Sequence, residues 1–180
     1  PDLVYKFTST SKVSFPGSGI AAVAASKANL EDFRSYMQIQ TIGHDKLNQL
    51  RHVKFFKDLD GLHAHMRKHA DLIRPKFEMV LNTLEAELGG LGIGEWTKPH
   101  GGYFISFEAM DGCAKAIVAK AKEAGVVMTG AGATYPYGKD PKDSNIRIAP
   151  TFPTLSELEE AAKVFVLCVK LASVEKLLEA

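Results

Sequence analysis

The feature that most constrains this chain is a run of apolar residues that keeps helical spacing from residue 62 to residue 88. Gly89 and Gly90 follow at once and end the pattern. Pro75 lies in the middle of the run, where a proline removes a backbone donor, so we expect a kink or a break there. The spacing predicts an α-helix over residues 59–88 that connects two domains, and its apolar stripe comprises Leu62, Met66, Ile73, Phe77, Val80, Leu81, Leu84 and Leu88.

Composition bounds the class of protein. Of the 180 residues, 46% are apolar and 24% are charged, a balance typical of soluble globular proteins and not of disordered or fibrous ones. Lys and Arg number 22 against 21 acidic residues. The net charge of +1 gives no general attraction to nucleic acid or to an anionic membrane, so we expect neither as a partner.

Neither a membrane span nor a secretory signal is indicated. The longest apolar stretch, residues 164–169, is far shorter than a bilayer span, and the N-terminus lacks the layout of a signal peptide. Two cysteines, Cys113 and Cys168, are too few for a disulfide framework, and Cys168 lies in an apolar run that favours a buried thiol. We expect a cytoplasmic protein. The chain begins with Pro1, which allows either a processed product or part of a longer reading frame.

The residues before the long helix predict the end of an α/β domain, over residues 1–58. Aromatic and β-branched residues at 3–7 predict a buried strand that ends in a loop rich in Ser and Thr. Small residues at 20–28 favour a closely packed helix. Two further helices are predicted over residues 29–39 and 45–56.

The residues after the long helix predict a small α+β domain over residues 89–180. Its last helix begins at a capping box in which Thr154 precedes Glu157 by three residues. The remaining predicted elements are a strand at 103–107, a helix at 111–124, a strand at 126–129 and a strand at 145–148.

Lys12 is the first candidate for chemistry. A lysine that follows several hydroxyl residues is commonly a solvated surface residue. However, it lies after a predicted strand, where ligands often bind, and a lysine in a partly desolvated pocket can form a Schiff base with an aldehyde. The hydroxyls of Ser9 and Ser11, with the amides around Gly17, could bind a phosphate.

Arg147 is the second candidate. It alternates with apolar residues in the predicted strand at 145–148, which allows either an exposed edge position or a guanidinium that grips a carboxylate through two parallel bonds. Gly101 and Gly102 predict a tight turn that could also bring the backbone close to a ligand, with Tyr103 or Phe104 lining the pocket.

Two further patterns carry less weight. Residues 17–22 (GSGIAA) match a dinucleotide-binding pattern, but a polar insertion separates them from the preceding strand, so we expect no nicotinamide or flavin site. His65 and His69 lie one helical turn apart, a spacing that can chelate metal. Because no carboxylate or cysteine partner is defined, we predict a solvated helix face and no metal site.

Three of these motifs together resemble fold-type I pyridoxal-phosphate (PLP) aminotransferases. Residues 9–17 (STSKVSFPG) are similar to the S-x-S-K-x-x-x-P-G segment of that family. The GGYF sequence at 101–104 and the NIRI sequence at 145–148 resemble its G-G-x-F and I-R-L strands, in the same order. The nearest branch is the aspartate-aminotransferase-like one, which is related to the aminotransferase domain of MocR-type regulators.

The resemblance implies a role for each matched residue. Lys12 would bind PLP covalently, Ser9 and Ser11 would contact its phosphate, and Arg147 would hold the substrate α-carboxylate. The implied reaction is transamination between an amino acid and a 2-oxo acid, with aspartate and 2-oxoglutarate as the expected pair, in a homodimer. The chain departs from the family at one position: the commoner pattern has a phosphate-binding arginine where this chain has Gly19. We therefore expect binding of the phosphate to depend more on hydroxyls, on amides and on residues outside the chain.

The resemblance also implies groups that these 180 residues do not supply. The family's aspartate at the pyridine nitrogen and its ring-stacking aromatic precede the lysine, whereas only eleven residues precede Lys12. We therefore expect a C-terminal portion of the fold that is inactive alone. Two alternatives remain open: the ligand-sensing domain of a MocR-type regulator, which predicts an upstream winged-helix segment, and a small standalone α/β binding domain.

Overall fold

The computed structural model describes residues 2–179 and separates into two compact units, the first ending at Leu72 and the second starting at Ile73. Over residues 2–179, none of the helices has both the length and the apolar character needed to cross a membrane. The predicted division into residues 1–58, 59–88 and 89–180 stays a prediction.

The first unit contains a hairpin followed by helices. Strand β1 (Lys6–Ser9) pairs antiparallel with β2 (Ala21–Ala24), with Ser9 opposite Ala21. The prediction was wrong in two respects here. The first strand starts three residues later than expected and is exposed, and the helix predicted over residues 20–28 is β2, then two residues without regular structure and the start of the next helix. Pairing across the hairpin holds these small residues in extended backbone.

Two capped helices follow the hairpin. Helix α1 spans Lys27–Gln40 and α2 spans Lys46–Phe56. Ser26 and Asp45 are their N-caps, and the side chain of each accepts a bond from a backbone N–H in the first turn. The two predicted helices are therefore confirmed, within a few residues at each end.

The long helix is confirmed as α3, Leu59–Leu88. Pro75 lies inside it, and the helix continues through this position without the predicted break. Phe77, Val80, Leu84 and Leu88 are buried, so the part of the apolar stripe from Phe77 onward faces the core of the second unit.

The second unit is built on a three-stranded antiparallel sheet. The strands are β3 (Gly94–Trp96), β4 (Ile105–Ala109) and β5 (Asn145–Ile148), in that spatial order. Ser106 on β4 lies opposite Arg147 on β5. Helix α4 (Ala114–Glu123) precedes a short 3₁₀ turn at Pro136–Gly138, and α5 spans Leu155–Leu178.

The core of this unit lies between the sheet and its helices. Phe107, Ile117, Ile146 and Val169 have no exposed surface and pack in one cluster with α3. The capping box at Thr154 is confirmed. Residues 126–129, predicted as a strand, have no regular structure, whereas β3 was not predicted.

Both cysteines are free and buried in this unit, as the apolar setting of Cys168 predicted. Burial raises the pKa of the thiols of Cys113 and Cys168 above their ordinary value.

Candidate functional site

Lys12 lies in a closed loop between β1 and β2, here called the lysine loop (residues 10–20). The Thr10 N–H donates to the Ile20 carbonyl at 2.8 Å, and the Ile20 N–H donates back to Thr10 Oγ1 at 2.9 Å. The N–H groups of Val13 and Ser14 both donate to the Thr10 carbonyl, which tightens the turn around Lys12. The lysine is exposed at the tip of an internally bonded loop.

Two serine hydroxyls lie together beside this lysine. The Oγ atoms of Ser9 and Ser11 are 2.7 Å apart, and the Ser11 N–H donates to Ser9 Oγ at 3.1 Å. Both residues are exposed. Hydroxyl and amide donors that converge on open space can bind an anion without adding positive charge.

Gly19 lies against Ser11, so closely that no side chain fits there. A Cβ atom at Gly19 would lie 2.4 Å from Ser11 Oγ and 2.8 Å from the Ser11 backbone N and Cα. An arginine at this position would therefore push the serine away. The departure from the commoner family pattern thus has a steric reason, because Ser11 fills the position that a side chain at Gly19 would need.

Helix α2 supports the lysine loop, which the sequence patterns did not reveal. The buried ring of His52 places Nε2 2.8 Å from Ser14 Oγ and 3.3 Å from Thr10 Oγ1. Asn48 Nδ2 donates to the Ser18 carbonyl at 2.8 Å. In the sequence, His52 is only the last residue of the segment 48–52 (NQLRH), one of those that resemble the aspartate-aminotransferase-like branch, and the pattern assigns no role to it.

The histidines of α3 correct one prediction. His65 is half-buried and packs against the rings of Phe15, Phe55 and Phe56, with centroids 5.3–6.4 Å away. It therefore does not lie on a solvated face. The described residues contain no group of three or more His, Cys, Asp or Glu side chains placed to hold a metal.

Arg147 is half-buried on β5 with its guanidinium only partly paired. Its Nη2 donates to Thr129 Oγ1 at 3.3 Å, and its Cζ lies 4.4 Å from the centroid of the Phe104 ring. Its Nε is buried, and no residue in the described range 2–179 accepts from it. A buried donor without an acceptor is costly, so this guanidinium is suited to binding a carboxylate.

The surroundings of Arg147 are mainly apolar. Arg147 and Thr129 line a cavity of about 190 Å³ whose other walls come from apolar residues of α3, α5 and the 126–128 segment. Gly102 has φ +91°, which favours glycine, and it turns the chain just before Phe104. Of the two aromatic residues predicted to line a pocket, Phe104 stacks on the arginine.

A polar network holds the chain that leads into β5. Asp140 accepts bonds from the N–H groups of Lys142, Ser144 and Asn145 at 2.8–3.0 Å. These backbone donors, chiefly Asn145, lower the pKa of the Asp140 carboxyl below its ordinary range. The buried Asn145 side chain bonds in turn to Ser106, 2.9 Å away. These bonds therefore hold the start of β5, the strand that carries Arg147, in place.

Ser9, the last residue of β1, lies next to Ser11 and Lys12 of the lysine loop in the first unit. Arg147 belongs to the second unit.

Comparison with known proteins decides the family. The family model described as aspartate amino-transferase matches residues 1–180. The chain belongs to the aspartate aminotransferase family. The predicted resemblance to fold-type I aminotransferases is thereby confirmed.

Two relatives of this family member come from bacteria. An aspartate aminotransferase of Corynebacterium glutamicum is 42% identical over 175 residues, which cover 97% of this chain and 40% of the relative. A protein of Mycolicibacterium smegmatis with a provisional aminotransferase name is 46% identical over 178 residues, or 99% of this chain and 42% of the relative. The chain thus spans about two fifths of the length of these relatives.

Solved structures of aminotransferases share the fold. The crystal structure of an aspartate transaminase from Corynebacterium glutamicum superimposes with a TM-score of 0.92 at 42% identity, covering 96% of this chain and 41% of that one. The α-aminoadipate aminotransferase of Thermus thermophilus has a TM-score of 0.74 at 21% identity, which shows the fold alone. The predicted class, part of the α/β transferase fold, is confirmed.

Proposed function

We propose that the full-length protein is a PLP-dependent aminotransferase that moves an amino group from an amino acid to a 2-oxo acid. The observation that carries this proposal is that Lys12 of the lysine loop follows the paired Ser9 and Ser11 hydroxyls, at a point where Gly19 packs against Ser11 without a side chain, in a member of this family. Aspartate and 2-oxoglutarate are the proposed pair, supported by the relative from Corynebacterium glutamicum.

The residues of the lysine loop fit the cofactor. Lys12 Nζ would bind the aldehyde carbon of PLP, and the hydroxyls of Ser9 and Ser11 would donate to its phosphate. Gly19 allows the chain to pass close to Ser11, since a Cβ there would collide with Ser11 Oγ. When bound, the cofactor supplies a ring that takes up electrons released at the substrate α-carbon.

Lys12 is also the proposed proton carrier. In the full-length protein its amine would take the proton from the substrate α-carbon and deliver it to the aldehyde carbon of the cofactor, and in the reverse half of the cycle it would move a proton back to the α-carbon of the acceptor. Over a full cycle the donor loses its amino group and α-hydrogen and takes a carbonyl oxygen from water, while the acceptor gains an amino group and an α-hydrogen and releases its carbonyl oxygen as water. The exchange balances without an external oxidant or reductant.

Arg147 is the proposed anchor for the substrate α-carboxylate. Its orphan Nε and partly paired Nη2 leave donors for a planar, two-bond contact. The Phe104 ring against the guanidinium limits its rotation and excludes water on that side. Holding the carboxylate fixes the orientation of the substrate's α-carbon.

Other parts of the site are proposed to come from the rest of the full-length protein. The groups that the family uses at the pyridine nitrogen and against the ring have no match in residues 1–180, and the relatives are more than twice as long. We expect weak cofactor binding and no useful turnover from residues 1–180 alone. A homodimer in the cytoplasm is the proposed working form.

The activity test uses the full-length protein with PLP, aspartate and 2-oxoglutarate, and measures oxaloacetate and glutamate together. We expect equal amounts of both products. Lys12→Arg keeps the charge but removes the suitable nucleophile, so it is expected to lower kcat by about 10²–10⁴-fold. The proposal fails if Lys12→Arg turns over at the wild-type rate. If products form only with a different amino acid, the proposed substrate pair is wrong, but the proposed aminotransferase reaction stands.

A further inference from the structure

His52 is a buried side chain, 4% exposed, that the proposed chemistry does not use. Its Nδ1 lies 2.9 Å from the backbone carbonyl oxygen of Asn48, one turn earlier on α2. Because a carbonyl oxygen can only accept, Nδ1 carries a proton. In the neutral imidazole the other nitrogen, Nε2, is therefore an acceptor.

That acceptor faces the lysine loop at two points. Nε2 lies 2.8 Å from Ser14 Oγ and 3.3 Å from Thr10 Oγ1. Thr10 and Ser14 each lie two residues from Lys12, one on either side. A single ring nitrogen on α2 thus contacts both ends of the five-residue segment centred on the lysine.

The contact at Thr10 also reaches the far end of the loop. Thr10 Oγ1 accepts the Ile20 N–H at 2.9 Å, and Ser14 Oγ lies 3.0 Å from both Thr10 Oγ1 and the Thr10 carbonyl. These groups form one connected cluster around the lysine turn. A change at His52 must therefore alter the backbone that carries Lys12.

Packing keeps the imidazole in place. The Phe15 ring, which belongs to the lysine loop, meets the His52 ring edge-on with centroids 5.1 Å apart. The Phe56 ring lies 5.9 Å from the His52 ring and stacks on the Phe15 ring, with centroids 5.8 Å apart. In this apolar setting a buried polar group without a hydrogen-bond partner is costly. Contact of the His52 ring with the hydroxyls of Thr10 and Ser14 is therefore favoured.

We propose that His52 is a positioning residue, which fixes residues 10–14 against α2 and thereby presents the Lys12 amine to the PLP aldehyde. The proposal rests on the proposed function, because it assumes that Lys12 reacts with the cofactor. His52 touches neither the cofactor nor the substrate in this account. It acts only through Thr10 and Ser14.

The test compares variants of the full-length protein, freed of cofactor, by the rate at which added PLP is fixed on Lys12 by borohydride, read by peptide mass spectrometry. His52→Phe keeps a ring but removes the acceptor, and we expect labelling to slow about tenfold, the effect of one unpaired buried group. His52→Gln restores an acceptor and should recover most of the rate. His63→Phe, the same change at an exposed histidine, should have no effect.

A second readout needs no cofactor. Amide hydrogen exchange at Ser14 and Ile20 should accelerate in His52→Phe, while amides of α4 in the second unit stay protected. If wild-type Lys12 is never labelled, the proposed function fails, and the exchange data still report whether His52 holds the loop.

Other outcomes decide the proposal directly. Unchanged labelling in His52→Phe overturns it, even where exchange accelerates, because that combination shows a purely structural role. If His52→Phe does not fold, Ser14→Ala removes the hydroxyl partner and leaves the ring in place. Slower labelling in Ser14→Ala supports the proposal, and a wild-type rate overturns it.

Discussion

Gly19 shows how a single position shapes this site. The commoner family pattern places an arginine here, but in this chain the Ser11 backbone N and Cα lie only 2.8 Å from the position that the arginine Cβ would occupy. The phosphate contacts proposed for this chain therefore come from hydroxyls and amides, which bind through short directional bonds and add no charge.

Gly19→Ala tests this packing. We expect the free energy of unfolding to fall by about 1–3 kcal/mol, the usual effect of forcing a methyl group into filled space, measured by urea denaturation. Gly43→Ala is the control, because nothing lies within 4 Å of a Cβ there, and it should change stability by less than about 0.5 kcal/mol. Equal effects at the two positions would contradict the close approach.

Arg147→Lys tests the carboxylate anchor. Lysine keeps the charge but cannot make two parallel bonds, so we expect KM for the amino acid to rise about 10–100-fold in the full-length enzyme, through loss of a charge-assisted bond. Steady-state kinetics gives this directly. Arg67→Lys, at an exposed position on α3, should leave KM unchanged. A wild-type KM in Arg147→Lys would exclude Arg147 as the anchor.

At the scale of elements, β5 depends on the loop before it. Asp140 accepts three backbone N–H bonds there, and they lower the pKa of its carboxyl. A lowered pKa means that the ionised carboxylate stabilises the fold. The contribution is fully present above the ordinary carboxyl pKa of about 3.9 and is lost as the pH falls through the lowered value.

Asp140→Asn should therefore lower stability at neutral pH, since an amide oxygen is a weaker acceptor for these three donors. The difference in free energy of unfolding between variant and wild type should shrink as the pH falls below about 4. Denaturant unfolding across pH 3–8 measures it, with Asp111→Asn at an exposed aspartate as the control. A difference that stays constant with pH would mean that the carboxylate charge has no role.

Local patterns predicted the helices well. Each of these signals depends only on residues within a few turns of one helix: the apolar stripe of α3, the glycine at 125 that follows α4, and the capping box at Thr154 that begins α5. Such helices can therefore be predicted from the local sequence alone. Strands depend on partners distant in the chain. Residues 126–129 have a strand-like sequence but no neighbour to pair with, and residues 21–24 look helical yet pair with β1.

The site was predictable to a similar degree. Motifs identified Lys12, Ser9, Ser11 and Arg147 as candidates because each belongs to a short local pattern. His52 was missed, since its partners Thr10 and Ser14 lie 42 and 38 residues away. No local pattern reports contacts at such separations. Only the packing of α2 against the lysine loop reveals them.

At the scale of the whole molecule, the two units differ in how much apolar surface they bury. The second unit has a continuous core, with Phe107 and Ile146 fully buried. In the first unit Phe7, Ile39 and Leu47 are 68–86% exposed, and apolar patches of this kind are typical of surfaces that contact further protein. We therefore expect the cofactor site to be complete only in the full-length protein.

The most direct test of the account is to locate the cofactor's covalent bond in the full-length protein. Holoenzyme is reduced with borohydride, digested, and its peptides are mapped by mass spectrometry. The account predicts one phosphopyridoxyl group, on Lys12, and no label on exposed lysines such as Lys27. Recovery of the label on another lysine, with Lys12 unmodified, would contradict the central claim.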